Sequence, residues 1–213
     1  MANRVNRVSE TVIRRLPIYH RYLTEILDKK IERISSSELS NLTGFTASQI
    51  RQDLNNFGGF GQQGYGYNVS DLRDEIGNIL GMDHIYKTIV IGAGRLGSAI
   101  ARYSGFRKSG FKIQALFDSD KDIVGNDIDS IPILDADDLE EYVRTNKIDV
   151  AIITVPKDHA VEVINDLISY KIKGIWNFAP IDISVPDDVV IENVRLNDSL
   201  LKLSYYLKEN SLK

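Results

Sequence analysis

The chain has 213 residues, 43% hydrophobic and 26% charged, a composition that suits one large or two small globular domains and excludes a disordered chain. It contains no cysteine, which rules out disulfides, thiolate-ligated zinc, iron–sulfur clusters and thiol catalysis; its three histidines, His20, His84 and His159, are too scattered for a standard metal site, so no metal is expected. No apolar run approaches the ~18 residues of a membrane helix, and Arg4, Arg7, Arg14 and Arg15 are not followed by the apolar stretch of a secretory signal, so no membrane association is expected.

Formal net charge is −4, unevenly spread. Residues 1–67 hold 9 basic and 6 acidic side chains, whereas the remainder holds 17 and 24. A mildly basic N-terminal third on an acidic body suggests two modules with different partners.

Along the chain, helical spacing of Ile13, Leu16, Tyr19, Leu23, Ile26 and Leu27 predicts one helix over residues 10–29, with Pro17 kinking its first turns. Ser35-x-x-Glu38 is a capping box opening a second helix, which stops at Gly44; Thr46-x-x-Gln49 opens a third over residues 47–56. Two short helices joined by a glycine-containing turn form a helix-turn-helix. Ala47, Ile50 and Leu54 would pack inward, while Ser48, Gln49, Arg51, Gln52 and Asn55 project outward with the chemistry that reads base edges. Arg14 and Arg15 are candidates for salt-dependent phosphate contacts.

Residues 57–67, FGGFGQQGYGY, interleave glycines with aromatics. Directly after a recognition helix this reads as a hairpin wing, with Gly58, Gly64 and Tyr65 available to phosphates or a minor groove. A P-loop is the rival reading, but the Lys-Ser/Thr pair it requires is missing. A linking helix over residues 71–80 ends at Gly81.

Residues 88–91 form a buried-strand run, followed at once by Gly92-Ala93-Gly94-Arg95-Leu96-Gly97 and a helix to Tyr103. In that context Gly92 makes the tight turn, Gly94 admits a pyrophosphate and Gly97 permits helix–strand packing, with the helix N-terminus adding partial positive charge. The next strand, residues 111–117, ends at Asp118, an acid placed to accept from ribose hydroxyls and to repel a 2′-phosphate, which selects NADH and NAD+. Lys112 and Lys121, nearby, read as solvated. Strands over 150–155 and 174–178, with a helix over 158–170 that buries Val161, Ile164, Leu167 and Ile168, put Thr154, Val155 and Pro156, and Asn177, Ala179 and Pro180, at strand carboxyl ends where such sheets bind ligands.

The expected fold is α/β: a winged helix-turn-helix over residues 1–80, a doubly wound Rossmann domain over 81–190 and a C-terminal dimerisation helix over 191–213. His159 reads as a surface residue at a helix N-terminus rather than a general acid, and nothing after Pro180 is long enough for a substrate domain, so no catalytic residue is assigned. From Leu196 onward, Leu200, Leu203 and Leu207 form one apolar stripe and Leu201, Tyr205 and Tyr206 a second. Such a helix needs cover on more than one side, from a partner across a two-fold axis or by folding back on its own domain.

A winged helix followed by an NAD-type Rossmann domain resembles the Rex family of redox-sensing transcriptional repressors, through SSSELSNLTGFTASQIRQDLNNFGGFGQQGYGYNV, GAGRLGSAIARYSGF, ITVP, and GIWNFAP followed by VPDDVVIENV. The resemblance implies a cytoplasmic bacterial homodimer on double-stranded operator DNA, with NADH weakening DNA binding, NAD+ competing, and the C-terminal helix exchanged between subunits. Tyr103 matches a tyrosine that contacts the cofactor region. After Glu192-Asn193-Val194, where many members have Asp and an apolar residue near the partner's nicotinamide, this chain has Arg195-Leu196. A cation there would disfavour NAD+, or point elsewhere. A small NAD-dependent oxidoreductase that dimerises through its winged helix, and a Rossmann domain loaded with another adenine nucleotide such as coenzyme A, are the other two readings.

Overall fold

The computed structural model describes residues 8–58, 61–62 and 65–211, and the chain divides into two compact units, Met1–His84 and Ile85–Lys213. In the first, α1 (Glu10–Ile13) and α2 (Leu16–Asp28) replace the single expected helix. Pro17 lies in the first turn of α2. With no N–H it cannot bond the Ile13 carbonyl, and its ring clashes there, so the helix restarts instead of bending.

β1 (Arg33–Ile34), α3 (Ser36–Thr43), α4 (Ala47–Asn55), β2 (Gly61–Gln62), β3 (Gly66–Asn68) and α5 (Val69–Ile79) complete this unit. Both capping boxes form, Ser35 with Glu38 and Thr46 with Gln49, and Gly44 takes the left-handed conformation between α3 and α4. The strands make a small antiparallel sheet in the order β1-β3-β2. At Gly66, φ is +72° and an added Cβ would meet the Ile34 carbonyl oxygen at 2.6 Å, so only glycine closes the hairpin. The expected linking helix, α5, is part of the core: its Val69, Leu72 and Ile76 are buried with Leu16, Tyr19, Leu23, Leu39, Ile50 and Leu54.

The second unit runs β4 (Tyr86–Ile91), α6 (Arg95–Arg102), α7 (Gly105–Lys108), β5 (Phe111–Asp118), β6 (Asp127–Ile128), β7 (Ile131–Asp135), α8 (Leu139–Asn146), β8 (Val150–Ile153), α9 (Lys157–Ser169), β9 (Gly174–Asn177), β10 (Val190–Asn193) and α10 (Leu196–Ser211). Six parallel strands stand in the order β7-β5-β4-β8-β9-β10, with β6 antiparallel at the β7 edge. This is the doubly wound order, and its direction reverses between β4 and β8.

Alternation along the strands fills both faces. Ile89, Ile91, Phe117 and Ile153 pack with Leu139 and Val143 of α8 and with Ala160, Ile164 and Leu167 of α9. Val90, Leu116 and Ile152 pack with Ile100 and Ala101 of α6. Val161, expected inside, is 45% exposed. No residue of α10 is buried. Among the described residues no helix is long and apolar enough to cross a membrane, and no cluster of His, Asp or Glu could hold a metal.

Candidate functional site

On α4, Ser48, Gln49, Arg51, Gln52 and Asn55 all face solvent, while Ile50 and Leu54 are buried. Two of the five have side-chain work within the unit. Gln49 Oε1 accepts from the Thr46 amide at 3.0 Å as part of its capping box, and Arg51 donates from Nη1 to Ser36 Oγ at 2.9 Å, linking α4 to the start of α3.

Asp53, which the sequence pattern did not single out, is buried in the middle of α4 at 2% exposure. Arg15 donates to it from Nε at 2.6 Å and Nη2 at 2.7 Å, and the Tyr19 hydroxyl donates to Oδ2 at 2.7 Å. The same guanidinium lies over the Phe45 ring, 5.8 Å from its centroid. Pairing with Asp53 raises the Arg15 pKa. Burial, then the hydrogen bond to Asp53, pushes the Tyr19 hydroxyl well above its ordinary value. Arg15, expected at a phosphate, is therefore an internal clamp on α4. Arg14 next to it is exposed and pairs with Glu10, one turn back. A signal for Asp53 existed: helical spacing from Ile50 puts position 53 inward, and an acid there requires a partner.

In the wing, Gly58 has φ +127° and Tyr65 is 70% exposed, its carbonyl accepting a long 3.5 Å hydrogen bond from Arg33. Gly64 lies outside the described residues.

In the second unit the glycine turn sits at the switch point between β4 and β8. Gly92 has φ +99°, and a Cβ there would come within 3.1 Å of Thr154. A Cβ on Gly97 would stand 1.9 Å from the Gly92 carbonyl oxygen, so α6 can approach β4 this closely only with glycine. Nothing lies within 4 Å of a Cβ on Gly94, and Gly94, Arg95 and Leu96 are exposed at the open N-terminus of α6. Asp118, at the carboxyl end of the neighbouring β5, accepts from the Ala93 amide through Oδ2 at 2.6 Å and from the Asp120 amide through Oδ1 at 3.0 Å. A tight turn, an uncovered helix start and an acid beside it fit the pyrophosphate and ribose of a dinucleotide.

Thr154 bridges the Ile91 and Gly92 carbonyls at 2.9 and 2.8 Å, which fixes the turn and engages its hydroxyl. Val155 is half-buried and Pro156 exposed beyond it. Asn177 is fully buried: its amide donates to the Ala179 carbonyl at 3.1 Å and to Asn193 Oδ1 at 2.8 Å, and its oxygen accepts from the Ala179 amide at 2.9 Å. It shapes the turn carrying Ala179 and exposed Pro180, and both side-chain amide protons are engaged within the unit. Asn193 was not foreseen. Tyr103 is 61% exposed, at the end of α6, and its ring lies so close to Gly105 that a Cβ there would be 2.3 Å away. Arg195 turns back on its own chain, donating to the Ile181 carbonyl at 2.6 Å and pairing with Asp182. His159 is exposed at the start of α9.

Residues 7–55 match a family model described as "Putative DNA-binding protein N-terminus", and residues 83–181 one described as "CoA binding domain". The chain is 58% identical over 202 residues to the redox-sensing transcriptional repressor Rex of Clostridioides difficile (strain 630), covering 95% of this chain and 96% of that protein. Among solved structures, that of RSP in complex with beta-NAD+ and operator DNA is 55% identical with a TM-score of 0.91, covering 96% of this chain and 94% of that one. RSP in complex with beta-NADH is 51% identical, again with a TM-score of 0.91, covering 97% of each.

Proposed function

The chain belongs to the Rex family of redox-sensing transcriptional repressors, regulators rather than enzymes, and from that premise we propose that it binds operator DNA as a cytoplasmic homodimer and is released by NADH. The observation that carries this reading is the pairing, in one chain, of an exposed helix-turn-helix reading face with a glycine turn and Asp118 set for a dinucleotide.

In this reading Gly92, Gly94, Gly97, the amides at Arg95 and Leu96, and Asp118 hold the pyrophosphate and adenosine of either redox form. Contacts common to both forms shift no equilibrium. NADH and NAD+ differ by one charge and by ring planarity at the nicotinamide, so discrimination falls to Val155, Pro156, Ala179, Pro180 and Tyr103. Thr154 and Asn177 contribute indirectly, by fixing the backbone of those turns.

The homodimer is supported by uncovered apolar surface. Leu196, Leu200, Leu203 and Leu207 on α10 are each at least half exposed, and the same unit carries an apolar groove of about 460 Å³ lined by Phe106, Phe111, Ile113, Ile152 and Trp176. Exchange of α10 between subunits would cover the helix. A two-fold pair of α4 helices would meet successive major grooves ~34 Å apart, and closure around NADH would take them off that spacing. A ~100-fold loss of DNA affinity needs ~2.7 kcal/mol of coupling, within the usual allosteric range.

The test is fluorescence anisotropy of a labelled palindromic operator: NADH should release the protein, and NAD+ should oppose that release. DNA affinity indifferent to NADH, together with steady oxidation of NADH by a small carbonyl compound, would instead favour the oxidoreductase.

A further inference from the structure

Asp118 is not alone at the ribose end of the sheet. β5 and β7 are parallel neighbours whose register pairs Asp118 with Asp135, so the two acids stand side by side on strands about 4.8 Å apart. The chain leaves β5 through a turn held by Asp118 Oδ1 on the Asp120 amide and Asp120 Oδ1 on the Asp122 amide, both at 3.0 Å. That turn fixes Lys121 just beyond the ribose acid. Its ammonium does not trail into solvent: it pairs with Asp135 and reaches Asp137 Oδ2 at 3.4 Å. Asp135 is itself oriented, its other oxygen accepting from the Asp137 amide at 3.1 Å. The pairing raises the pKa of Lys121 and lowers that of Asp135.

A cation close to the ribose acid is what a Rossmann domain uses to accept a 2′-phosphate. Here the only ammonium on that turn is matched by two carboxylates, so the group as a whole is negative. We propose that Lys121 is a latent 2′-phosphate ligand, and that Asp135 and Asp137 exclude NADP(H) by engaging it, as a second determinant beside Asp118. The proposal rests on the reading of Asp118 as the ribose acid. It accounts for three charged side chains that the helix-turn-helix and the glycine turn leave without a role. Because Lys121 is 64% exposed, its ion pairs are weak as stabilising contacts. Their effect lies in the charge offered to a dianion, and so appears in cofactor choice rather than in folding.

The experiment is calorimetric titration of full-length protein with NADH and with NADPH. Asp118→Asn keeps an acceptor for the Ala93 amide and should raise NADPH affinity. Adding Asp135→Asn and Asp137→Asn should raise it again by about tenfold, the scale of one charge-assisted hydrogen bond. Lys121→Ala in that triple background should cancel the second gain and leave the first. No second gain, or a second gain that survives Lys121→Ala, overturns the proposal while leaving the NADH assignment intact. Wild-type protein that binds NADPH as tightly as NADH overturns the assignment of Asp118, and this proposal with it. A circular-dichroism spectrum and unfolding midpoint close to wild type show that each variant keeps its fold, since Asp118→Asn itself weakens NADH binding.

Discussion

Arg15 grips Asp53 with two hydrogen bonds, from Nε to Oδ2 at 2.6 Å and from Nη2 to Oδ1 at 2.7 Å, and this fork ties the reading helix α4 to α2. Tyr19 adds a third hydrogen bond to the same carboxylate. Deleting one partner of a buried pair leaves the other charge uncompensated, so Asp53→Ala should destabilise the N-terminal unit by about 3–5 kcal/mol. Arg15→Ala should destabilise it too, and the double variant should cost less than the sum. Urea unfolding provides the measurement. An Arg15→Ala protein of unaltered stability whose DNA affinity alone falls would return Arg15 to the phosphate backbone.

Arg51 stands on the exposed face of α4, linked to α3 through Ser36. If it reads a guanine, Arg51→Ala should lower preference for the cognate operator over scrambled DNA by about 1–3 kcal/mol. Arg14, exposed and paired with Glu10, is the control. Its removal should weaken both DNAs equally and reduce the salt slope by about 1. An equal loss on both DNAs from Arg51→Ala would make it another phosphate contact.

His20 lies beside Gly77. Burial first, and then nearby Arg73, lowers its pKa below 6.5. The folded unit thus keeps His20 neutral where an unfolded chain would protonate it. The resulting stability is complete above pH 6.5 and is lost as pH falls through the folded value. Unfolding midpoints should drop on acidification, and His20→Leu should flatten that limb. An identical acid response in the variant would assign the loss to other groups.

The local signals were the legible ones. Capping boxes at Ser35 and Thr46 and the Gly92–Gly97 turn act over a few residues, and each formed as its spacing predicts. Pro17 was legible as a disturbance but not as a full break, because a kink and a restart differ only in what the surrounding core can bury. The ties made by Asp53, Asn177 and Lys121 were not legible for one reason: their partners are distant in sequence. Arg15 is 38 residues from Asp53, Asn193 is 16 from Asn177, and Asp135 is 14 from Lys121. A strand-end position identifies the neighbourhood of a ligand, and only the fold shows which side chains there are already engaged.

Every residue of α10 from Leu196 to Ser211 is exposed in the single chain, which leaves its two apolar stripes without cover. Truncation before Asp198 should therefore impair dimerisation and abolish the NADH response, while the N-terminal unit stays folded, since its core is complete without the tail. Light scattering and the operator titration measure the two effects. A truncated protein that is still dimeric and still releases DNA with NADH would refute an exchanged helix.

The turn beside the expected nicotinamide site and the root of α10 are fastened together. Asn177 donates to Asn193, the Val194 amide donates to the Asn177 carbonyl at 2.8 Å, and Arg195 holds the Ile181 carbonyl and Asp182. A shift of residues 177–182 on cofactor binding would thus be carried into β10 and the tail helix as one body. Asn177→Ala is a poor probe of this, because it leaves buried polar groups unsatisfied at about 1–3 kcal/mol. Asp182 is the cleaner one, its side chain being 97% exposed. Asp182→Ala should leave NADH affinity close to wild type while reducing the coupling between NADH and DNA by about 0.5–2 kcal/mol. The measurement is the ratio of operator affinities with and without saturating NADH. The same ratio in wild type and variant would show that the fastening is structural only and that the signal reaches α10 by another route.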